Sequence, residues 1–128
     1  MDGMTHHSRL CAALVDVPDA DFAPTVEFWS GALGKAVSVD TQDPDYAELG
    51  EVMPGLHLMV QRIDGAARVH LDIETDDTDA EVTRLEALGA EEVERIQTWV
   101  VMRDPSGQPF CVVRPQTADF PIDATRWE

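Results

Sequence analysis

Two amphipathic segments of the chain end in the same way, with Ala32-Leu33-Gly34 and Ala87-Leu88-Gly89, 55 residues apart. The apolar pattern around each copy repeats as well. Ahead of the first, "LCAALVDV" from Leu10 to Val17 reads as a buried strand, followed by the turn-rich "VPDAD". Phe22, Val26, Trp29 and Leu33 then recur at spacings of four, three and four, the stripe of an amphipathic helix, and Gly34 stands where a left-handed C-terminal cap would sit. Three strand-like pieces follow: "KAVSVD", "YAELG" after "DPD", and "GLHLMVQRI" after "MPG". The second copy runs through the same order. "RVHLDIE" alternates cleanly, and "TDAEVTRLEALGA" opens on a capping box of Thr78 and Glu81, with Val82, Leu85 and Leu88 turned inward. "EEVERIQ", "WVVMR" and "FCVVR" supply three more strands, the last two joined by "DPSG". The order βαβββ is therefore written twice, an internal repeat. Asp16 and Asp72, one in each opening strand and 56 residues apart, set a register in which Leu14 corresponds to His70.

A chain organised this way is expected to fold as one α+β domain over residues 1–128. Module one covers about 9–63, module two about 67–115, and a tail covers 116–128. The tail has no period; its Phe120, Ile122 and Trp127 are expected to cover an apolar edge or a neighbouring subunit. At 128 residues the chain can bury roughly two thirds of its unfolded surface without a metal or disulfide staple.

The charge narrows the partners. Twenty-five acidic residues against nine basic ones give a formal charge of -16, which repels nucleic acid and anionic membranes. Cys11 and Cys111 stand alone, with no CxxC or CxxH, so reduced thiols in a cytoplasm are the expectation. No apolar run approaches the roughly twenty residues of a membrane span, and "MDGMTHHSRL" lacks an apolar core and cleavage site. The expected protein is acidic, soluble and cytoplasmic.

The chemistry-bearing residues sit on alternating strands. In "RVHLDIETDD", Val69, Leu71 and Ile73 form one row, and His70, Asp72 and Glu74 form the other. In "GLHLMVQRI", Leu56, Leu58 and Val60 are the core row, which leaves His57, Met59 and Gln61 on the opposite face. Either polar row is a wet surface or part of a small-molecule site with apolar walls and a few convergent polar groups. His70 is the candidate acid, base or hydrogen-bond donor near neutral pH, against the alternative of a histidine bonded to Asp72 or to backbone. Trp99 either stacks on a planar ligand or packs. Cys111, in the apolar "PFCVVR", reads first as an inert buried thiol. Glu74, Asp76 and Asp77 read as helix approach and solvent face. No nucleophile elbow, P-loop, dinucleotide fingerprint or HExxH motif occurs.

Tandem βαβββ modules with "FWSGALG" in the first helix, "RVHLDIE" opening the second module and "RDPSGQPFCVV" closing it resemble the vicinal oxygen chelate superfamily. That superfamily contains glyoxalase I, the bleomycin-resistance proteins, fosfomycin-resistance enzymes and extradiol dioxygenases; this chain looks most like its small single-domain glyoxalase-like members. The resemblance implies modules whose sheets curl into a cup-shaped mixed sheet, helices outside, and often a homodimer. In metal-dependent members the ligands come from the first and last strands of each module. On those positions Leu14 has no donor and His70 has one. Cys111 stands four residues after Gly107, where the family places Glu, and Met59 is its first-module counterpart, with His57 two residues earlier. The leading expectation is a cup that binds a small molecule of unknown identity without a full metal triad, with His70 catalytic and His57, Met59, Gln61, Asp72, Trp99 and Leu14 contacting the ligand. The alternative is a lyase or dioxygenase holding zinc, nickel, manganese or iron on His57, His70 and Cys111. A domain that dimerises and binds nothing is the third.

Overall fold

The computed structural model describes residues 5–39 and 43–128. Its elements are β1 (His6–Pro18), α1 (Asp19–Leu33), β2 (Ser38–Val39), β3 (Tyr46–Met53), β4 (Leu56–Ile63), β5 (Arg68–Thr75), α2 (Thr78–Ala87), β6 (Glu91–Ile96), β7 (Trp99–Arg103), β8 (Pro109–Val113) and β9 (Thr125–Trp127). The chain is α+β with mixed strand pairing, and the order βαβββ occurs twice. The strand expected at 35–40 is reduced to Ser38–Val39; its last residue, Asp40, lies outside the described residues. Two compact units result, Ala12–His70 and Met1–Cys11 with Leu71–Glu128, so the division falls inside β1 and inside β5.

In the unit 12–70 the strand order is β2-β3-β4-β1, with β1 parallel to β4 and the other pairs antiparallel. Its core is Val17, Phe22, Ala47, Leu49 and Val60, with Val15, Val26, Trp29 and Leu58 packed against it. One row of each strand is thus sealed under α1, and burying Phe22 alone is worth about 1.5–3 kcal/mol. Arg62 lays its guanidinium on the Phe22 ring at 4.2 Å. The helix stripe holds for Phe22, Val26 and Trp29 but not for Leu33, which is exposed in the last turn. Gly34 closes α1 at φ 65, its N–H donating to Ser30 O, as the left-handed cap requires.

In the other unit β5 runs parallel to β8, and β8, β7 and β6 follow in antiparallel order. Val82, Leu85, Val100, Met102 and Val112 form its core. The N-cap of α2 is Asp77, whose carboxylate accepts from Ala80 N at 3.1 Å, so Thr78 is the first helical residue and the Thr78–Glu81 capping box does not form. Glu81 is instead buried, accepting from Arg84 Nε at 2.9 Å and held to the His6 ring at 2.8 Å. The tail is not aperiodic covering: Thr125–Trp127 pairs with His6–Ser8 as a strand, Trp127 Nε1 donates to Ser8 Oγ at 2.9 Å, and Arg84 stacks on the Trp127 ring at 3.8 Å. Glu74, expected on the solvent face, is fully buried. It accepts from Arg9 Nε and Thr117 Oγ1, both at 2.7 Å, and from the backbone N–H groups of Gln116 and Thr117. Among the described residues no helix is long and apolar enough to cross a membrane.

Cys11 is buried, donating to Asp72 O at 3.5 Å, and burial, ahead of the nearby Glu74 and Asp72 charges, pushes its thiol up to about 12. Thiolate is the reactive form. At pH 8 iodoacetamide is therefore expected to alkylate Cys11 about a thousandfold more slowly in the native protein than in urea, read by peptide mass spectrometry. Equal rates in the two states would contradict the burial.

Candidate functional site

Strand register builds a polar face from the unit 12–70. Tyr46, Gln61 and Asp16 lie side by side across β3, β4 and β1; Glu48, Met59 and Leu14 form the next row; His57 stands beside Ala12 in the third. Residues paired across strands share a face, so this is the face away from the Val60 and Ala47 core under α1. Leu14 and Met59 make an apolar floor between two polar ends. Four of the expected contacts, His57, Met59, Gln61 and Leu14, therefore share this face.

At one end, Asp16 is fully buried within the apolar run Leu10–Val17 of β1. Its Oδ2 accepts from His70 Nδ1 at 2.6 Å and from Arg68 Nε at 3.2 Å. An ionised carboxylate out of water needs such partners, because an unpaired one costs several kcal/mol. Oδ1 has no hydrogen-bond partner among the described residues. Native structures rarely leave a buried acceptor in that condition, which costs about 1–3 kcal/mol. Across the sheet Gln61 Nε2 donates to the Tyr46 hydroxyl at 2.9 Å.

At the other end, the register shift in β3 after Glu48 and the φ of 80 at Gly50 bend the strand, so that Gly50 N donates to Glu48 Oε2 at 2.7 Å. The same oxygen meets His57 Nδ1 at 3.3 Å. His57 and Glu48 are each about one third exposed. Since His57 lies beside Ala12 and His70 is tied to Asp16 four residues along β1, roughly 13 Å of strand separates the two anchoring points.

Asp72, Trp99 and Cys111 belong to the other unit. Asp72 shares a face of β5 with His70 by alternation, and Cys111 is its cross-strand partner on β8. Trp99 opens β7, half-buried, across from Ile96. The pairing also revises the repeat register. Gly55 and Gly107 both take positive φ, and four residues beyond them stand Met59, paired with Leu14, and Cys111, paired with Asp72. Leu14 is thus the positional counterpart of Asp72, and His70 is that of Ala12. The first-module position has no donor atom on either register. Asp16, Arg68, Tyr46 and Glu48 were missed as site residues; a single Asp in an apolar strand and the alternation of "YAELG" were the available signals.

A model of the glyoxalase-like domain matches residues 12–113. No curated protein matches the chain significantly. Among solved structures, the chain is similar to a hypothetical protein from Bacillus halodurans C-125, with 8% identity and a TM-score of 0.62 over 86% of this chain and 96% of that one. It is similar to Streptomyces coelicolor methylmalonyl-CoA epimerase, with 16% identity and a TM-score of 0.54 over 85% and 98%. Homoprotocatechuate 2,3-dioxygenase from B. fuscum matches at 21% identity and a TM-score of 0.57 over 85% of this chain but 32% of its own, so the chain spans about a third of that enzyme. At these identities the structural likeness concerns the fold. With the family model covering most of its length, the chain belongs to the glyoxalase-like domain family.

Proposed function

We propose that the chain binds a small organic molecule against the polar face of β1, β3 and β4, as a homodimer, and handles its protons through His70 without a full metal triad. The observation that carries this reading is the 2.6 Å contact between His70 Nδ1 and the wholly buried Asp16. A carboxylate at Nδ1 holds the proton there, assigns proton exchange with a ligand to Nε2, and stabilises the imidazolium that forms when Nε2 takes a proton. Leu14 and Met59 supply apolar walls; Gln61, Tyr46 and the His57–Glu48 pair supply orienting polar groups.

A second reading has one observation in its favour. Metal-bound imidazoles commonly hand their other ring N–H to a carboxylate, and Asp16 serves His70 in that way. His70 would then hold a divalent ion that polarises a bound oxygen, while His57, anchored roughly 13 Å along the strand, does not share that ion. Against it, the first-strand position is apolar Leu14.

Thermal melts of untagged protein with methylmalonyl-CoA and homoprotocatechuate, the compounds named for the relatives, separate the readings when run beside metal analysis. A bound probe adds about 2.7 kcal/mol at a hundredfold excess over Kd. The expected result is a melt raised by a probe in the wild type, unchanged by chelator, and lost in His70→Ala. Stoichiometric zinc, nickel, manganese or iron that disappears in His70→Ala would overturn the metal-free reading, and gel filtration at the monomer mass would overturn the homodimer.

A further inference from the structure

We propose that Arg68 is the specificity-determining residue of this face, and that the ligand is a small carboxylate-bearing anion gripped by its guanidinium beside His70. The inference rests on the proposed small-molecule site and adds the class of molecule it takes.

Four other arginines are consumed by structure. Arg9 meets Glu74 and Asp119, Arg62 meets Asp19 and Asp45, Arg95 meets Glu92 and Asp79, and Arg84 spends Nε and Nη2 on the two oxygens of Glu81. Arg68 is engaged differently. Among the described residues it donates to one carboxylate oxygen, Asp16 Oδ2, and does so through Nε at 3.2 Å. Its side chain is 52% exposed although Asp16 is fully buried. The Nη1 and Nη2 edge therefore points out of the contact that anchors the head. That edge carries the parallel N–H pair that matches a carboxylate in bidentate fashion.

Position makes the exposed fork useful. Arg68 and His70 share a face of β5 by alternation, and both are pinned to the same oxygen of Asp16. A carboxylate on the fork thus brings the atoms attached to it to the imidazole. Charge gives the fork discriminating power. With 25 acidic against nine basic residues, the chain's field opposes anions, so an anion held here depends on the local cation rather than on any general attraction. A neutral analogue gains nothing from Arg68.

The test uses malonate and its neutral diamide at fixed ionic strength, followed by NMR of uniformly labelled protein. Wild type is expected to show His70 imidazole shifts with malonate and none with the diamide. Arg68→Gln is expected to weaken malonate binding at least about tenfold, the usual worth of a charge-assisted pair. Arg68→Lys keeps the charge that balances Asp16 and loses the fork, so it provides a folded variant with an intermediate loss. Equal binding of diamide and malonate, or an unchanged malonate affinity in both Arg68 variants, overturns the anion assignment while leaving the small-molecule site standing. Malonate shifts that avoid His70, Leu14 and Gln61 altogether overturn both.

Discussion

Replacing Glu74 with alanine is expected to remove about 3–5 kcal/mol of folding stability, among the largest losses a single substitution in this chain can produce. The carboxylate is fully buried and accepts four hydrogen bonds, one of them from Arg9, while Arg9 in turn reaches Asp119, Thr117 Oγ1 and the Ile122 carbonyl of the tail. Deleting it strands a largely buried guanidinium and cuts the tail from β5. Urea titration of the variant checks the figure; a loss below about 1 kcal/mol would show that the clamp is dispensable.

The same cluster sets a pH dependence. Burial pushes the Glu74 carboxyl up, but the hydrogen bonds from Arg9, Thr117 and Gln116 outweigh it and hold the group below its ordinary value. Glu81 behaves alike, with Arg84 and His6 overcoming its burial, as does Asp76 with His7. A carboxylate depressed in the folded state contributes stability that is complete above its unfolded value, about 4 for these residues. That contribution fades as the pH falls through the lower folded value. Stability is thus expected to be flat in these groups at neutral pH and to drop on the acid side, with a shallower acid limb in Glu74→Ala.

Asp16→Asn is expected to have the largest effect on function. In the proposed site Asp16 is a positioning residue that acts through His70, whose Nδ1 meets its carboxylate at 2.6 Å. The amide fills the same space but no longer demands that proton, and any acid–base turnover should fall by about 10²–10⁴, the usual contribution of a positioned proton-transfer group. Nitrogen NMR of the imidazole supplies a readout that a purely structural role would not move. The wild type should show the Nδ1–H tautomer, and the variant a shift toward Nε2–H. An unchanged tautomer in the variant would remove Asp16 from the mechanism.

Much of this was legible in the residues. The two helices and most strands follow from spacings of three and four or of two, signals that survive because each element must bury one stripe or one row. His70, His57 and Gln61 were legible as polar members of alternating strands, with Met59 in the row of His57 and Gln61. The α2 cap slipped by one residue, since Thr78 and Asp77 are both capable caps and backbone geometry chooses Asp77. The repeat register slipped by two, because it was anchored on Asp16 and Asp72, whereas strand pairing makes Leu14, beside Met59, the counterpart of Asp72, beside Cys111. Strand β9 carries no period in three residues; it exists because β1 offers it an edge at His6–Ser8.

Sequence alone determined the tandem βαβββ order, the α+β class and the histidine on the polar row, because these depend on contacts within a turn or along one strand. The tertiary structure decided what that histidine meets. Asp16 and His70 are 54 residues apart, Asp16 and Gln61 meet only through the parallel register of β1 with β4, and Arg68 reaches the same carboxylate from the start of β5. Pairings at such separation leave no local periodicity to read; they are chosen by burial of the opposite face under α1, which sets the strand register and with it every neighbour of the site.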